Sequence, residues 1–259
     1  MMCRLPQRLA ALLLAVGLFG LPLATWASQI RISPLFVSLS AEQRSAAINL
    51  RNEGRTAVSV QVRVFAWQQD ADAGMLLDTT QDLALSPAMV TLAPGATQLV
   101  RVQTRMPAVQ KERHYRILID QLPDAASASR DRVRVLTRYS LPVFVEPRVV
   151  GLPNLSAKLV ACQADGSLHL RVANAGSRRA RLADWQLLQQ DKALSSHNGL
   201  TGYALPGQVL SVPLVDVAAN RVSAASALHW QVNTDMGPWQ TTIASPAETV
   251  PCATVDALE

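Results

Sequence analysis

The sequence predicts an all-β protein built as two consecutive β-sandwiches, and three observations carry that prediction. Hydrophobicity alternates along the chain with a period of two rather than 3.6. Turn signals of the Pro-Gly, Asn-x-Gly and Asp-Gly kind recur between the alternating runs. No stretch reads as a helix of more than two turns.

The chain starts with a targeting signal. Met1 to Arg8 carries two arginines and no acid, and Leu9 to Leu23 is an almost unbroken apolar run. Small residues follow, ending Ala24-Thr25-Trp26-Ala27. This layout predicts a secretory signal over residues 1–27, with Ser28 first in the mature chain. An uncleaved anchor fits less well, since the apolar run of roughly 15 residues is short against the roughly 20 of a spanning helix. No later stretch is apolar enough to cross a bilayer, which predicts a soluble mature protein without stable membrane insertion.

Strand signals then follow in order. Ala47 to Asn52 alternates and ends in the turn Asn52-Glu53-Gly54. Ala57 to Val64 places Val58, Val60, Val62 and Val64 on one face, the mark of a half-buried strand. Val90 to Leu92 leads into Ala93-Pro94-Gly95-Ala96, and Gln98 to Gln103 resumes the extended pattern. Pro fixes φ and Gly supplies a positive φ, so this pair predicts a turn. Tyr115 to Leu122 and Val133 to Val145 complete the set, with a polar loop at Pro123–Asp131. Roughly seven strands between Ile30 and Val145 give the profile of an immunoglobulin-like sandwich over residues 28–147.

Pro147 to Pro153, with Gly151 between, predicts a linker. Beyond it the pattern restarts at Leu155–Cys162, Leu168–Ala173, Arg179–Leu188, Val209–Val215, Ala227–Val232 and Trp239–Ile243. Turns are expected at Ala164-Asp165-Gly166, Asn174-Ala175-Gly176 and Leu205-Pro206-Gly207. A second sandwich over residues 153–259 results.

Composition agrees. Apolar residues make up 49% of the chain but aromatics only 5%, so the cores must be built largely from Val, Leu, Ile and Ala. Cys3 leaves with the signal, and Cys162 and Cys252 remain as a pair in an oxidising compartment, which predicts a disulfide. Closing that loop is worth about 4 kcal/mol in the chain-entropy model. Neither cysteine has a neighbouring ligand at metal spacing. The net charge of +5 gives a modest bias toward acidic partners. Export and the lack of arginines interleaved with aromatics argue against nucleic acid.

No chemistry-bearing motif emerges. His114, His169, His197 and His229 are scattered and fall in neither HxH nor HExxH spacing. A GxSxG elbow, a Walker loop and a GxGxxG cradle are all missing from the sequence. Asp70 and Asp72 read as a solvated loop pair, and Asp120 sits near a strand end. The sequence therefore predicts a binding protein with no cofactor and no metal, rather than an enzyme. A secreted hydrolase with an unrecognised site is the rival of another class.

Four stretches carry a resemblance: "RISPLFVSLSAEQRSAAINLRNEG" (Arg31 to Gly54), "LAPGATQLVRVQ", "YRILIDQLP" and "TRYSLPVFVEP". Their order and spacing resemble the periplasmic chaperones of the chaperone–usher pilus pathway, most strongly in the first domain. The resemblance implies two immunoglobulin-like domains in an L or boomerang around a cleft. It implies a periplasmic protein that lends the last strand of its first domain to pilus subunits (pilins) and delivers them to an outer-membrane usher. The physics is β-augmentation: ladder hydrogen bonds supply affinity, and alternate apolar side chains supply register.

On that reading Val133, Val135, Tyr139 and Leu141 form the subunit-binding face of the last strand, with Thr137 interrupting them. Arg132, Arg134 and Arg138 fall on the other face with Leu136. Periodicity alone serves equally a strand packing this protein's own core. Most such chaperones grip the pilin's terminal carboxylate with an Arg on the first strand and a Lys on the last. Aligned on Asn52-Glu53-Gly54 and on Val143 to Pro147, those positions fall at or near Phe36 and Pro142, which cannot do so. The chain thus resembles a divergent or archaic branch, with Arg101 and Arg138 as substitute anchors or, alternatively, solvated strand residues. An exported adhesin or structural pilus component would share the fold, although a pilin would lack the complete final strand that Val133–Val145 supplies.

Overall fold

The computed structural model describes residues 30–107, 109–123, 135–149, 151–163, 165–214, 217, 222, 226–244 and 249–251. The predicted signal segment and Cys252 lie outside these, as does Val133. The described residues form strands and turns and no helix.

Ten strands build the first sandwich: β1 (Ile30–Ser33), β2 (Val37–Leu39), β3 (Ser45–Asn52), β4 (Val58–Asp70), β5 (Gly74–Thr79), β6 (Leu83–Ser86), β7 (Met89–Leu92), β8 (Thr97–Thr104), β9 (Arg113–Gln121) and β10 (Arg138–Val145). One sheet runs β1-β3-β8-β6, the other β2-β10-β9-β4-β5 with β7 also on β4. The predicted valine alternation is realised, because Val58, Val60 and Val62 are buried between the sheets with Ile48, Leu50, Val100 and Val102 facing them. Even-numbered β4 residues point inward, so Arg63, Phe65 and Trp67 project from the outer face.

The second sandwich holds β11 (Leu155–Cys162), β12 (Leu168–Asn174), β13 (Ala180–Gln189), β14 (Lys192–Ala204), β15 (Val209–Pro213), β16 (Leu228–Thr234), β17 (Gly237–Ile243) and β18 (Thr249–Val250). Its sheets run β15-β12-β11-β18 and β14-β13-β16-β17. Leu168, Leu170, Leu182, Leu187, Leu228 and Trp230 lie at its centre. Cys162 is disulfide-bonded.

Each sandwich ends a strand with the same buried asparagine device. Asn52 Nδ2 donates to the carbonyls of Thr56 and Leu92, while its Oδ1 accepts the Gly54 N–H. Asn174 does likewise, donating to Arg178 and Ala204 and accepting from Gly176. A buried amide with both ends satisfied fixes the turn where the chain leaves the sheet. Asn174 Oδ1 also accepts the N–H of Asn154, tying this turn to the segment that follows the linker. Gly176 is required there: a Cβ would lie 2.3 Å from the Leu152 carbonyl oxygen. At the Pro94-Gly95 turn Gly95 takes a φ of 73°, as that dipeptide predicts.

The two sandwiches meet over an aromatic cluster of Trp67, Phe144, Tyr203 and Leu205. Phe144 and Tyr203 rings lie 5.2 Å apart, and Trp67 stands edge-on to Tyr203 at 6.1 Å. The β4–β5 hairpin extends the contact. Gln69 donates through Nε2 to Tyr203 O at 2.7 Å and accepts the Leu205 N–H at 3.1 Å, and Asp72 pairs with Arg171. Beneath these, Glu112 pairs with Arg179, whose guanidinium also lies 3.7 Å over Phe144. His114 Nε2 is 3.3 Å from Glu112, and Glu146 is 3.4 Å from Arg179. Burial works to raise the Glu112 pKa, but His114 and Arg179 outweigh it and hold the carboxyl below its ordinary value.

Candidate functional site: an open strand edge beside the domain interface

Of the strand expected at Val133–Val145, the described residues join the sheet from Arg138 onward. Ahead of the ladder, the Gln121 N–H donates to the Thr137 carbonyl at 3.0 Å. Val135 and Leu136 lie outside any strand, Val135 at 84% exposure. On its other side the described pairing of β10 with β2 covers Val143–Val145. Leu35, 71% exposed, and Phe36, 52% exposed, flank that edge where the chain passes from β1 to β2.

The shared apolar face expected for the strand divides. Leu141 stands opposite Ile117 and is buried in the first sandwich's own core. Tyr139, opposite Ile119, is half-buried against the same core, and its hydroxyl donates to the Ile30 carbonyl at 3.2 Å. The pleat therefore spends both side chains inward, and Val135 is the described member of the set left free. Thr137 is half-buried beside it.

The outer face of this sheet carries the charges. Asp120 on β9 faces Arg138 on β10 and accepts from it, while Arg63 on β4 donates to the other carboxylate oxygen at 2.7 Å through Nη2. Arg138 is thus engaged within the fold. Arg101 lies on β8, in the opposite sheet, with its side chain turned to solvent between the inward Val100 and Val102. The two arginines expected as anchors are not brought together.

A different arginine lies beside one of the aligned positions. Arg116 stands directly opposite Pro142 across the β9–β10 ladder, and its guanidinium lies 3.8 Å over the Trp67 ring beside the domain interface. Its Nε is buried without a hydrogen-bond partner among the described residues. Burial pulls its pKa down to about 10, against a smaller opposing effect of Tyr203, so it stays cationic at neutral pH. Sequence reasoning missed it because it sits in the alternating stretch Tyr115–Leu122 as an ordinary outward residue. Only the register opposite Pro142 singles it out. Among the described residues no group of three or more His, Cys, Asp or Glu is placed to hold a metal ion.

Residues 29–151 match the family of pili and flagellar-assembly chaperones, PapD N-terminal domain. Over 218 residues the chain is 24% identical to the probable fimbrial chaperone EcpB of Escherichia coli O157:H7 (strain EC4115 / EHEC), covering 81% of this chain and 91% of that protein. It is similar in structure to a chain of the CsuC–CsuE chaperone–tip adhesion subunit pre-assembly complex from archaic chaperone–usher Csu pili of Acinetobacter baumannii. That likeness has a TM-score of 0.64 at 21% identity and covers 86% of this chain and all of that one. A chain of the Salmonella enterica SafA pilin–SafB chaperone complex gives a TM-score of 0.54 at 16% identity, over 84% and 98% of the two chains. Residues 29–151 thus carry the match to the pilus-assembly chaperone family, and the chain as a whole shares the fold of two immunoglobulin-like domains seen in these chaperone structures.

Proposed function

We propose that this protein acts in the periplasm as a non-enzymatic chaperone that lends the β10 edge to pilus subunits lacking their own final strand and delivers them to an outer-membrane usher. The observation that carries the reading is exposed, apolar Val135 just ahead of β10, bordered by Leu35 and Phe36, on a strand whose described pairing with β2 covers Val143–Val145. A strand edge offers backbone groups to an incoming chain, and alternate apolar side chains set its register. Val135 and, by alternation, Val133 supply those side chains, while Tyr139 and Leu141 hold the strand to its own domain.

Arg116 is the preferred anchor for the subunit's terminal carboxylate, ahead of Arg101 and Arg138. A partly buried cation with no counter-ion among the described residues gains most from an arriving carboxylate. The anchor's displacement from β10 to β9 fits an archaic type of chaperone. Residues 1–27 are the export signal, 28–147 and 153–259 the two domains, and Cys252 the disulfide partner of Cys162. The last assignment is supported by Val250, two residues before Cys252, which pairs with Cys162 in the ladder.

The test is periplasmic co-expression with a candidate pilin, purification and native mass spectrometry. Wild type is expected to give a one-to-one complex. Val135→Arg abolishes it without altering folding, and Arg116→Met, which keeps a side chain over Trp67, weakens it at least tenfold. A wild type that binds no candidate pilin would sink the chaperone reading.

A further inference from the structure

We infer that Asp120 is a positioning residue that pins the start of β10 in the sheet and so sets where the lent edge begins. This goes beyond strand lending itself, on whose reading its functional meaning rests.

Three strands are joined at one level by this carboxylate. Asp120 on β9 lies between Arg63 on β4 and Arg138 on β10, directly opposite Gln61 and Arg138 in the two ladders. One oxygen takes Arg138 Nε, and the other takes Arg63 through Nη2 at 2.7 Å and Nε at 3.2 Å. Arg138 is the first residue of β10, and the three residues before it belong to no strand.

The environment makes the contact more than a surface pair. The Asp120 side chain is 12% exposed, against 59% for Arg138. Burial favours the neutral acid, yet the hydrogen bonds and charges of Arg138 and Arg63 win and lower its pKa, so the group is ionised at neutral pH. Without it, two guanidiniums would face one another across β9 with no anion between them. Downstream of this point, Tyr139 and Leu141 pack inward and Phe144 enters the domain interface, so the C-terminal part of β10 is held by burial. At its first residue the outward anchor of the strand is the Asp120 carboxylate.

An edge held in strand geometry before its partner arrives loses less freedom on binding, which raises the competent fraction and the association rate. Loosening the clamp should therefore fray residues 138–141 locally and leave the rest of the sandwich intact.

Hydrogen–deuterium exchange on the full mature chain tests this with Asp120→Asn, Arg138→Gln and the double variant. Each single change is expected to speed exchange in peptides spanning residues 138–141 at least tenfold, with peptides from β3 and β8 unchanged. The double variant should exchange no faster than the faster single one, because both remove the same contact. Raising salt should speed exchange in wild type and not in Asp120→Asn, since the arginines are partly solvated. Unchanged exchange in both single variants, or acceleration spread equally over the whole domain, would overturn the inference. Should Asp120→Asn not fold, Arg138→Gln decides alone, because its side chain is mostly exposed. The exchange result is independent of any pilin: if wild type binds none, strand lending fails while the clamp is still judged by exchange. Where a pilin does bind, Asp120→Asn should slow its association several-fold with dissociation nearly unchanged, and an unaltered association rate would refute the functional role.

Discussion

The buried ion pair between the domains gives the sharpest energetic prediction. The side chains of Glu112 and Arg179 are 1% and 8% exposed, and the Arg179 backbone N–H also donates to Glu112 Oε1 at 3.2 Å. Arg179→Met keeps the aliphatic contact with Phe144 but leaves Glu112 and Glu146 without their shared cation. Stranding a buried charge in this way costs about 3–5 kcal/mol, whereas replacing both partners by apolar groups of similar size is often close to neutral. Urea denaturation at pH 7 of wild type, Arg179→Met, Glu112→Met and the double variant measures this. Each single change should cost about 3 kcal/mol or more, and the double far less than their sum. The pH dependence follows from the lowered Glu112 pKa. Its contribution is present above the ordinary glutamate value of about 4.3 and is lost as pH falls through the lower folded value. The gap between wild type and Arg179→Met should therefore narrow below about pH 4. A single variant within about 0.5 kcal/mol of wild type at pH 7, or strict additivity in the cycle, would refute the reasoning.

Two further substitutions probe the fold. Leu141→Ala should destabilise the first domain by about 2–5 kcal/mol in chemical denaturation, because the side chain is buried in that domain's core. A loss below about 1 kcal/mol would return Leu141 to the subunit-facing set. Gly176→Ala should cost about 1–3 kcal/mol and hasten proteolysis near the linker, since the new methyl meets backbone atoms of Leu152, Pro153 and Asn154. Unchanged protease resistance would show that the linker yields without cost.

What could be read from the sequence was whatever is local. The valines of β4, the turn at Asn52 and Gly54, and the Pro94-Gly95 turn each depend on neighbours a few residues away, and each stands where expected. Six of the eight strands described in the second sandwich fell within a few residues of their predicted bounds for the same reason, while β14 and β18 were not anticipated. The division of the last strand was not legible. Alternation places Val135, Tyr139 and Leu141 on one side but says nothing about where the ladder starts, and that start decides which of them are covered. Arg138 and Arg116 show the same limit. Whether an outward arginine is spent or free depends on what stands opposite it, Asp120 in one case and Pro142 in the other. The Glu112–Arg179 pair joins residues 67 positions apart in different domains, beyond the reach of any periodicity.

Pro142 explains where the described pairing of β10 with β2 begins. Proline has no N–H to give to a ladder and is tolerated in a sheet where that side faces no partner strand. In β10 the pairing with β2 begins at Val143, the first residue beyond it, while the β9 ladder runs unbroken past it from Arg138 to Val145. An apolar edge is an aggregation hazard, and a proline and a charged residue are two of the devices that blunt one. Here Pro142 and Arg138 supply those two devices within the first five residues of β10. On the proposed reading, a strand that docks beside β10 must pass these two residues and reach Val135 with its apolar side. Those requirements together favour a single register, as a binding edge needs and an accidental one lacks.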